Sequence, residues 1–381
     1  MPNGFMPLAD EVVMTEVPTP ASSNPASLQE VYQSRRHRLR ARMAQEGLAA
    51  LIVNLDANRY YLSGFELKDC QTDESSGCLV LMQDGRDLLC TDSRYHEAAC
   101  RLWDEDQVFI YRGNAPRQIG QLVRGMVSGP VGYDSRHTTV SFFQELGIEG
   151  LCAANGLVEC LRVIKEPGEI AFLAASCAIN EKMMDWLPGQ LVPGKTEAQI
   201  AWEIEQFFRN SGAEDISFAS IVAVDGNAAL PHACPGSTVI TDNCSVLVDV
   251  GCRLNGYCSD QTRTFWVGQR PDPFFAANLR HVQEAQQKAI AAIRPGIACA
   301  EIYNIAMGHL EAMGVGQYFT HGLGHGVGLQ THERPRLAPA IDATLEPGMV
   351  VTVEPGVYYP GKLGIRWEHM VVVTEDGHQI L

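Results

Sequence analysis

Several things this 381-residue sequence lacks narrow its class. It has no Cys-x-x-Cys pair, although it has 12 cysteines. They are irregularly spaced, often inside apolar runs such as Gly77-Cys78-Leu79-Val80. That pattern predicts reduced, buried thiols in a cytoplasmic protein rather than a disulfide framework. There is no apolar run of membrane-spanning length, and no basic start leading into an apolar core, so neither a membrane span nor a signal peptide is expected. There is no excess of positive charge. The formal net charge is −16, which argues against nucleic acid or anionic membrane as a partner. No HExxH occurs, which excludes the helical zinc site of many peptidases. No GxGxxG occurs either, so the glycine-rich run near residue 325 is not a dinucleotide loop.

What is present suits a sizeable folded protein. The apolar share is 46%, ample for a core, and the length suggests about two domains. Residues 1–25, rich in Pro, Ser, Thr and Ala, read as a flexible tail. Residues 26–160 alternate helix and strand signals and read as a small α/β domain. A helix is expected over Leu28–Gly47, and a hairpin around Asp84-Gly85. The short basic run Arg35-Arg36-His37-Arg38 reads as a solvated helix face. Residues 161–381 read as a second domain. Pro167 opens a long helix, and Thr196 with Gln199 forms a capping box for the next. Strands are expected at Ile216–Val224, Cys244–Val250 and Tyr257–Val267, helices at Pro273–Ile293 and Ala300–Met313, then strands again. The order helix, helix, strands therefore occurs twice, which suggests two similar halves.

Chemistry-bearing residues concentrate in this second domain. Val246, Val248 and Val250 alternate around Asp249, and Asn255-Gly256 offers a turn. A hairpin centred on Leu254-Asn255 would set Asp249 directly across from Asp260, roughly 4.5–5.5 Å apart. Two carboxylates that close require a proton or a cation between them. Cys252 and Cys258 beside them read as packing residues. A second hairpin, Val350–Thr374, turns at Pro360-Gly361-Lys362 and would set Glu354 across from Glu368. Between the hairpins lie His321, His325 and His332, three imidazoles within twelve residues and beside alternating glycines. Four carboxylates and one imidazole would suit two divalent cations, manganese or cobalt before zinc or iron.

Asp249-Val250-Gly251, Tyr257 through Thr264, His321 through Gly328 with His332-Glu333, Val353 through Tyr358, and Gly364 through Glu368 together resemble the pita-bread metallopeptidases: methionine aminopeptidase, Xaa-Pro aminopeptidase and Xaa-Pro dipeptidase (prolidase). The α/β region before them is similar to the creatinase-type N-terminal domain of the Xaa-Pro members. The resemblance implies an α/β (α+β) chain whose catalytic domain is a curved antiparallel sheet in two pseudo-symmetric halves. It implies that Asp249 binds one metal ion, that Asp260 and Glu368 bridge two, and that His325 and Glu354 bind the other. It implies substrate-side roles for His232, His321 and His332, a proton-carrying role for Glu354, and a hold on the substrate carboxylate by Arg366. The expected reaction is hydrolysis of an Xaa-Pro bond, in dipeptides or at the N-terminus of short peptides, by a hydroxide bridging the two metals. A homodimer is expected on the same ground. The alternative is a small-molecule amide or amidine hydrolase of the creatinase-like branch, disfavoured because all the acidic positions are kept. Two positions depart from the family pattern: Trp367 is bulky, and His369 stands where an acid usually follows the bridging glutamate.

Overall fold

The computed structural model describes residues 25–67 and 75–381; the side chains described begin at Leu28. Most of the tail expected at 1–25, and Cys70, lie outside the described residues. The chain divides into two compact units, one ending at Arg162 and the other running from Val163 to Leu381.

The first unit holds a six-stranded mixed sheet, ordered Val108–Ile110, Leu88–Thr91, Cys78–Met82, Ala50–Val53, Val131–Tyr133 and Cys152–Ala153. Ala50–Val53 pairs antiparallel with Cys78–Met82 and parallel with Val131–Tyr133. Its core includes Ile52, Val80, Cys90, Ile119 and Val123. The helix Val140–Leu146 and the last strand were not expected. The helix is short, and its Thr139 cap is an ordinary loop residue until it accepts the Phe142 amide.

The second unit is built from two halves of one plan. In the first half, the helices Pro167–Trp186 and Glu197–Asn210 cover a sheet ordered Gln261–Val267, Cys244–Val250, Ile221–Val224. Capping starts each helix. Glu166 and Glu169 form a reciprocal box ahead of Pro167, and Thr196 and Gln199 form another. In the second half, the helices Pro273–Ala292 and Cys299–Ala312 cover a five-stranded sheet. Its order is Glu333–Leu337, Gly324–Gly326, Val350–Val353, His369–Val373, His378–Ile380. Asp272 caps the first of these helices by accepting the Phe274 and Phe275 amides.

Strand alternation decides which face does what. Val246, Val248 and Val250 enter the core of the first half; Val351, Val353, Val371 and Val373 enter that of the second. Asp249 and Thr352, one step out of phase, face the other way.

The first hairpin differs from the sequence expectation. Asn255 and Gly256, at φ 50° and 82°, are the two central turn residues, so Leu254 pairs with Tyr257 and Arg253 with Cys258. That shifts the register. Asp249 faces Thr262, not Asp260, and Val250 faces Gln261. A two-residue Asn-Gly turn needs positive φ at both residues, and this places the reversal one residue later than Leu254-Asn255. Asp260 stays on the Asp249 face as its diagonal neighbour. The returning strand is also broken, into Tyr257–Cys258 and Gln261–Val267. The break lies beside Gly251, where a Cβ would sit 1.9 Å from the Ser259 carbonyl oxygen. The expected strand Ile216–Val224 likewise splits, into Asp215–Ile216 and Ile221–Val224. The second hairpin keeps its expected register. Val353 pairs with His369 and Gly356 with Arg366, which sets Glu354 opposite Glu368.

Cys252 and Cys258 are buried, and the eleven cysteines among the described residues are free. Not all of them are buried: Cys152 and Cys234 are exposed. Among the described residues no helix is long and apolar enough to cross a membrane.

Candidate active site

The faces of the two sheets that the helices leave uncovered carry the acidic residues. The strand ending at Val250 contributes Asp249, and the break before Gln261 contributes Asp260. Glu354 and Glu368 lie at matching interruptions, between Val353 and Gly356 and between Arg366 and His369. The short strand Gly324–Gly326, paired with Val350–Val353, carries His325 beside Glu354. Its glycines are needed for close approach: a Cβ at Gly324 would lie 2.0 Å from the Thr352 carbonyl oxygen, and one at Gly326 2.1 Å from that of Arg334. Glycine is uncommon in strands, so sequence periodicity did not show this one.

One ligating atom from each of Asp260, His325 and Glu368 lies within 4.8 Å of the other two. His325 Nε2 is 3.6 Å from Asp260 Oδ2 and 3.4 Å from Glu354 Oε1. Asp249 acts electrostatically on Asp260, Glu354 and Glu368 together. Burial first, then the Glu368, Asp249 and Glu354 charges, push the Asp260 carboxyl well above its ordinary range. Burial, then Glu354 and Asp249, do the same to Glu368. Burial lifts Glu354 to about 8, against the pull of Arg366 and with a push from Asp249. Burial and the neighbouring His332 lower His325 to about 4, which leaves its ring neutral and able to ligate.

Asp249 Oδ1 and Glu368 Oε1 are out of contact with solvent and have no hydrogen-bond partner among the described residues. Buried carboxylate oxygens in that state are costly unless a cation completes them. The donors are oxygens and one imidazole nitrogen. The residues present therefore fit divalent metal ions.

The other candidates surround this cluster. His321 Nδ1 is 2.7 Å from the Gly322 carbonyl and its Nε2 is 2.9 Å from the Tyr358 hydroxyl. Burial, then Arg366, lower its pKa to about 4. The His332 ring packs edge-on against His325, with centroids 4.3 Å apart. His232 is exposed, and its charge is felt by both His321 and His332. Arg366 is only 3% exposed and is turned inward. Its guanidinium donates to Asp249 Oδ2 (2.6 Å), Thr262 Oγ1 (3.0 Å), the Tyr358 hydroxyl (2.7 Å) and the Pro231 carbonyl (3.3 Å).

Residues 171–375 match the model of metallopeptidase family M24, and residues 35–164 match the creatinase/prolidase N-terminal domain. The chain belongs to metallopeptidase family M24. It is 32% identical to an uncharacterized peptidase of Bacillus subtilis over 90% of this chain and 96% of that one. It is 29% identical to the Xaa-Pro dipeptidase of Pyrococcus furiosus over 88% of this chain and 93% of that one. Among solved structures it resembles the Xaa-Pro dipeptidase from Bacillus anthracis. There the TM-score is 0.85 at 31% identity, covering 92% of this chain and 97% of that one. The chain is thus a peptide hydrolase of the metal-dependent kind, with the two-domain architecture of the prolidases.

Within this M24 site the structure adds residues that the sequence reading did not single out. Thr262 Oγ1 donates to Glu368 Oε2 at 2.7 Å while accepting from Arg366. Thr352 Oγ1 accepts the His325 amide at 3.0 Å and lies 3.3 Å from Glu354 Oε1. Each stands two residues from a candidate ligand on the same strand face, so period-two spacing from Asp260 and Glu354 was the available signal. Gln286, buried on the covering helix, donates to the carbonyls of Val353 and Trp367, the residues before Glu354 and Glu368. The two departures from the family pattern form one cluster. The Arg263 guanidinium lies 4.5 Å over the Trp367 ring, is 2.6 Å from His369 Nε2, and donates to the Glu368 carbonyl.

Proposed function

We propose that this M24 chain hydrolyses the Xaa-Pro bond of dipeptides or of short peptides at their N-terminus, with two divalent ions, manganese or cobalt before zinc or iron. The observation that carries the reading is the convergence of Asp249, Asp260, His325, Glu354 and Glu368, with Asp249 Oδ1 and Glu368 Oε1 left unpartnered in a buried pocket. Asp249 would hold one ion, Asp260 and Glu368 both, and His325 and Glu354 the other. Bound there, the ions would supply a water of lowered pKa and polarise the scissile carbonyl.

The chain's own groups do the rest. Glu354 takes the proton of the attacking water and delivers it to the proline nitrogen, which must be protonated to leave as a secondary amine. His332 and His232 face the substrate side and offer ring N–H donors to the developing oxyanion. His321 is held neutral with its Nδ1 at the Gly322 carbonyl, so Tyr358 donates to its Nε2. Substrate that displaces the Tyr358 hydroxyl would meet His321 directly. Arg366, a carboxylate reader by resemblance, is proposed to act through the groups it touches, Asp249, Thr262 and Tyr358.

The named activities of the Pyrococcus furiosus and Bacillus anthracis relatives support a proline-directed substrate. A homodimer is proposed by family likeness, and a cytoplasmic setting is supported by the free cysteines. The test is a peptide panel, Xaa-Pro against Xaa-Pro-Yaa, run on stripped protein reloaded with manganese, cobalt or zinc. Cleavage that depends on reloading supports the reading; undiminished cleavage after thorough chelation sinks it.

A further inference from the structure

A second set of ligating side chains lies on the helices that cover the second half. His281 and Glu284, three residues apart, share a face of the helix Pro273–Ala292. His309, on the adjacent helix Cys299–Ala312, brings an imidazole to them. One ligating atom from each of the three lies within 4.8 Å of the other two. His309 is 8% exposed, and its Nε2 lies 3.2 Å from Glu284 Oε2. Yet His309 Nε2 and His281 Nδ1 are both shut off from solvent without a well-formed hydrogen bond among the described residues. Glu284 meets His309 Nε2 only as a 3.2 Å ion pair and His281 Nδ1 has no such partner, so the desolvation of these rings is repaid in part at most.

We propose that His281, Glu284 and His309 form a second metal site, for a zinc-like cation, separate from the four-carboxylate centre. Two imidazoles and one carboxylate are a recurrent zinc donor set, with the fourth position left to water. The set is richer in nitrogen than the catalytic cluster, so the two sites should differ in metal preference. Lys288 is the competing cation. Its Nζ is 2.7 Å from His309 Nδ1, and an ammonium donating there forces the ring proton onto Nε2. Lys288 is exposed, so its stem can swing away; Nδ1 then takes the proton and Nε2 is free to ligate. The bound ion would tie together the two helices that cover the second sheet.

The test uses zinc alone and counts metal rather than turnover. A chain carrying Asp260→Ala and Glu368→Ala is stripped, dialysed against zinc and analysed for metal and unfolding midpoint. It should keep one zinc per chain and melt higher with zinc than without. Adding His281→Ala or Glu284→Gln should remove that zinc and the shift, and adding Lys288→Met should tighten its binding. If the double variant fails to fold, the same changes are made in the wild-type chain, where His281→Ala or Glu284→Gln should lower total zinc by one equivalent. Zinc content indifferent to His281 and Glu284 overturns the proposal. Because peptidase activity is not read, that result would leave the proposed function standing.

Discussion

Arg366 and Asp249 form a buried ion pair, with Nη2 2.6 Å from Oδ2. It leaves the other oxygen, Oδ1, without a hydrogen-bond partner among the described residues, so Asp249 has one lone-pair side neutralised and one side on offer. Removing the guanidinium would strand a buried carboxylate, a loss of about 3–5 kcal/mol. Arg366→Ala is therefore expected to lower the unfolding midpoint of the chelated protein, and to cut kcat/KM for Xaa-Pro and Xaa-Pro-Yaa alike. A loss confined to dipeptides, at unchanged stability, would instead make Arg366 a reader of the substrate carboxylate.

Asp260 sits where the charges of Glu368, Asp249 and Glu354 meet. Asp260→Ala should abolish peptide cleavage and lower the bound metal measured by elemental analysis. Full activity in that variant would refute a bridging role for this residue.

Thr262 fixes Glu368 through a 2.7 Å hydrogen bond without being a candidate ligand. Thr262→Val keeps the shape of the side chain and removes the hydroxyl. Partners of this kind are worth roughly 10–100-fold in metal affinity or activity. The variant should show that loss in a metal titration while its far-UV spectrum stays unchanged. Wild-type affinity and rate would show that Glu368 needs no such support.

Stripping the metal should make stability depend on pH in a defined window. Glu354 is held at about 8 in the fold, above its ordinary 4.5, so between those values the folded chain binds more protons than the unfolded one. Stability from this group is complete below 4.5 and is lost as pH rises through 8. The neutral, buried His321 and His325, both near 4 against 6.5, act in the opposite sense and only below about 6.5. From pH 6.5 to 8 the unfolding midpoint of chelated protein should therefore fall. Glu354→Gln should lessen that fall, to which the raised Asp260 and Glu368 carboxyls also contribute, and metal loading should remove it. A midpoint that rises with pH across this window would contradict the assignment.

The sequence showed some of this site plainly and the rest not at all. Glu354 and Glu368 were legible as an opposed pair because the turn at Gly361 and the valine alternation on either side agree on one register. Asp249 and Asp260 were legible as residues that belong together, but not as diagonal neighbours. A one-residue error in locating the Asn255-Gly256 turn moves every pairing by two. Thr262, Thr352 and Gln286 were silent because a lone Thr or Gln carries no chemical signature until its partner's position is known. The inward turn of Arg366 was hidden for the same reason: it depends on Asp249, more than a hundred residues earlier in the chain.

By itself the sequence determined most of the order of the elements and the two-fold repetition of helix, helix and strands, while its family resemblance pointed to the donors. The order and the repetition follow from local rules of periodicity, capping and turn chemistry, each acting within a few residues. Only the tertiary structure decided how far apart those donors stand, which oxygens are left unpartnered, and which cation Asp249 already holds. Those depend on how two sheets meet across their uncovered faces, and on the burial that makes four neighbouring carboxylates costly without a metal.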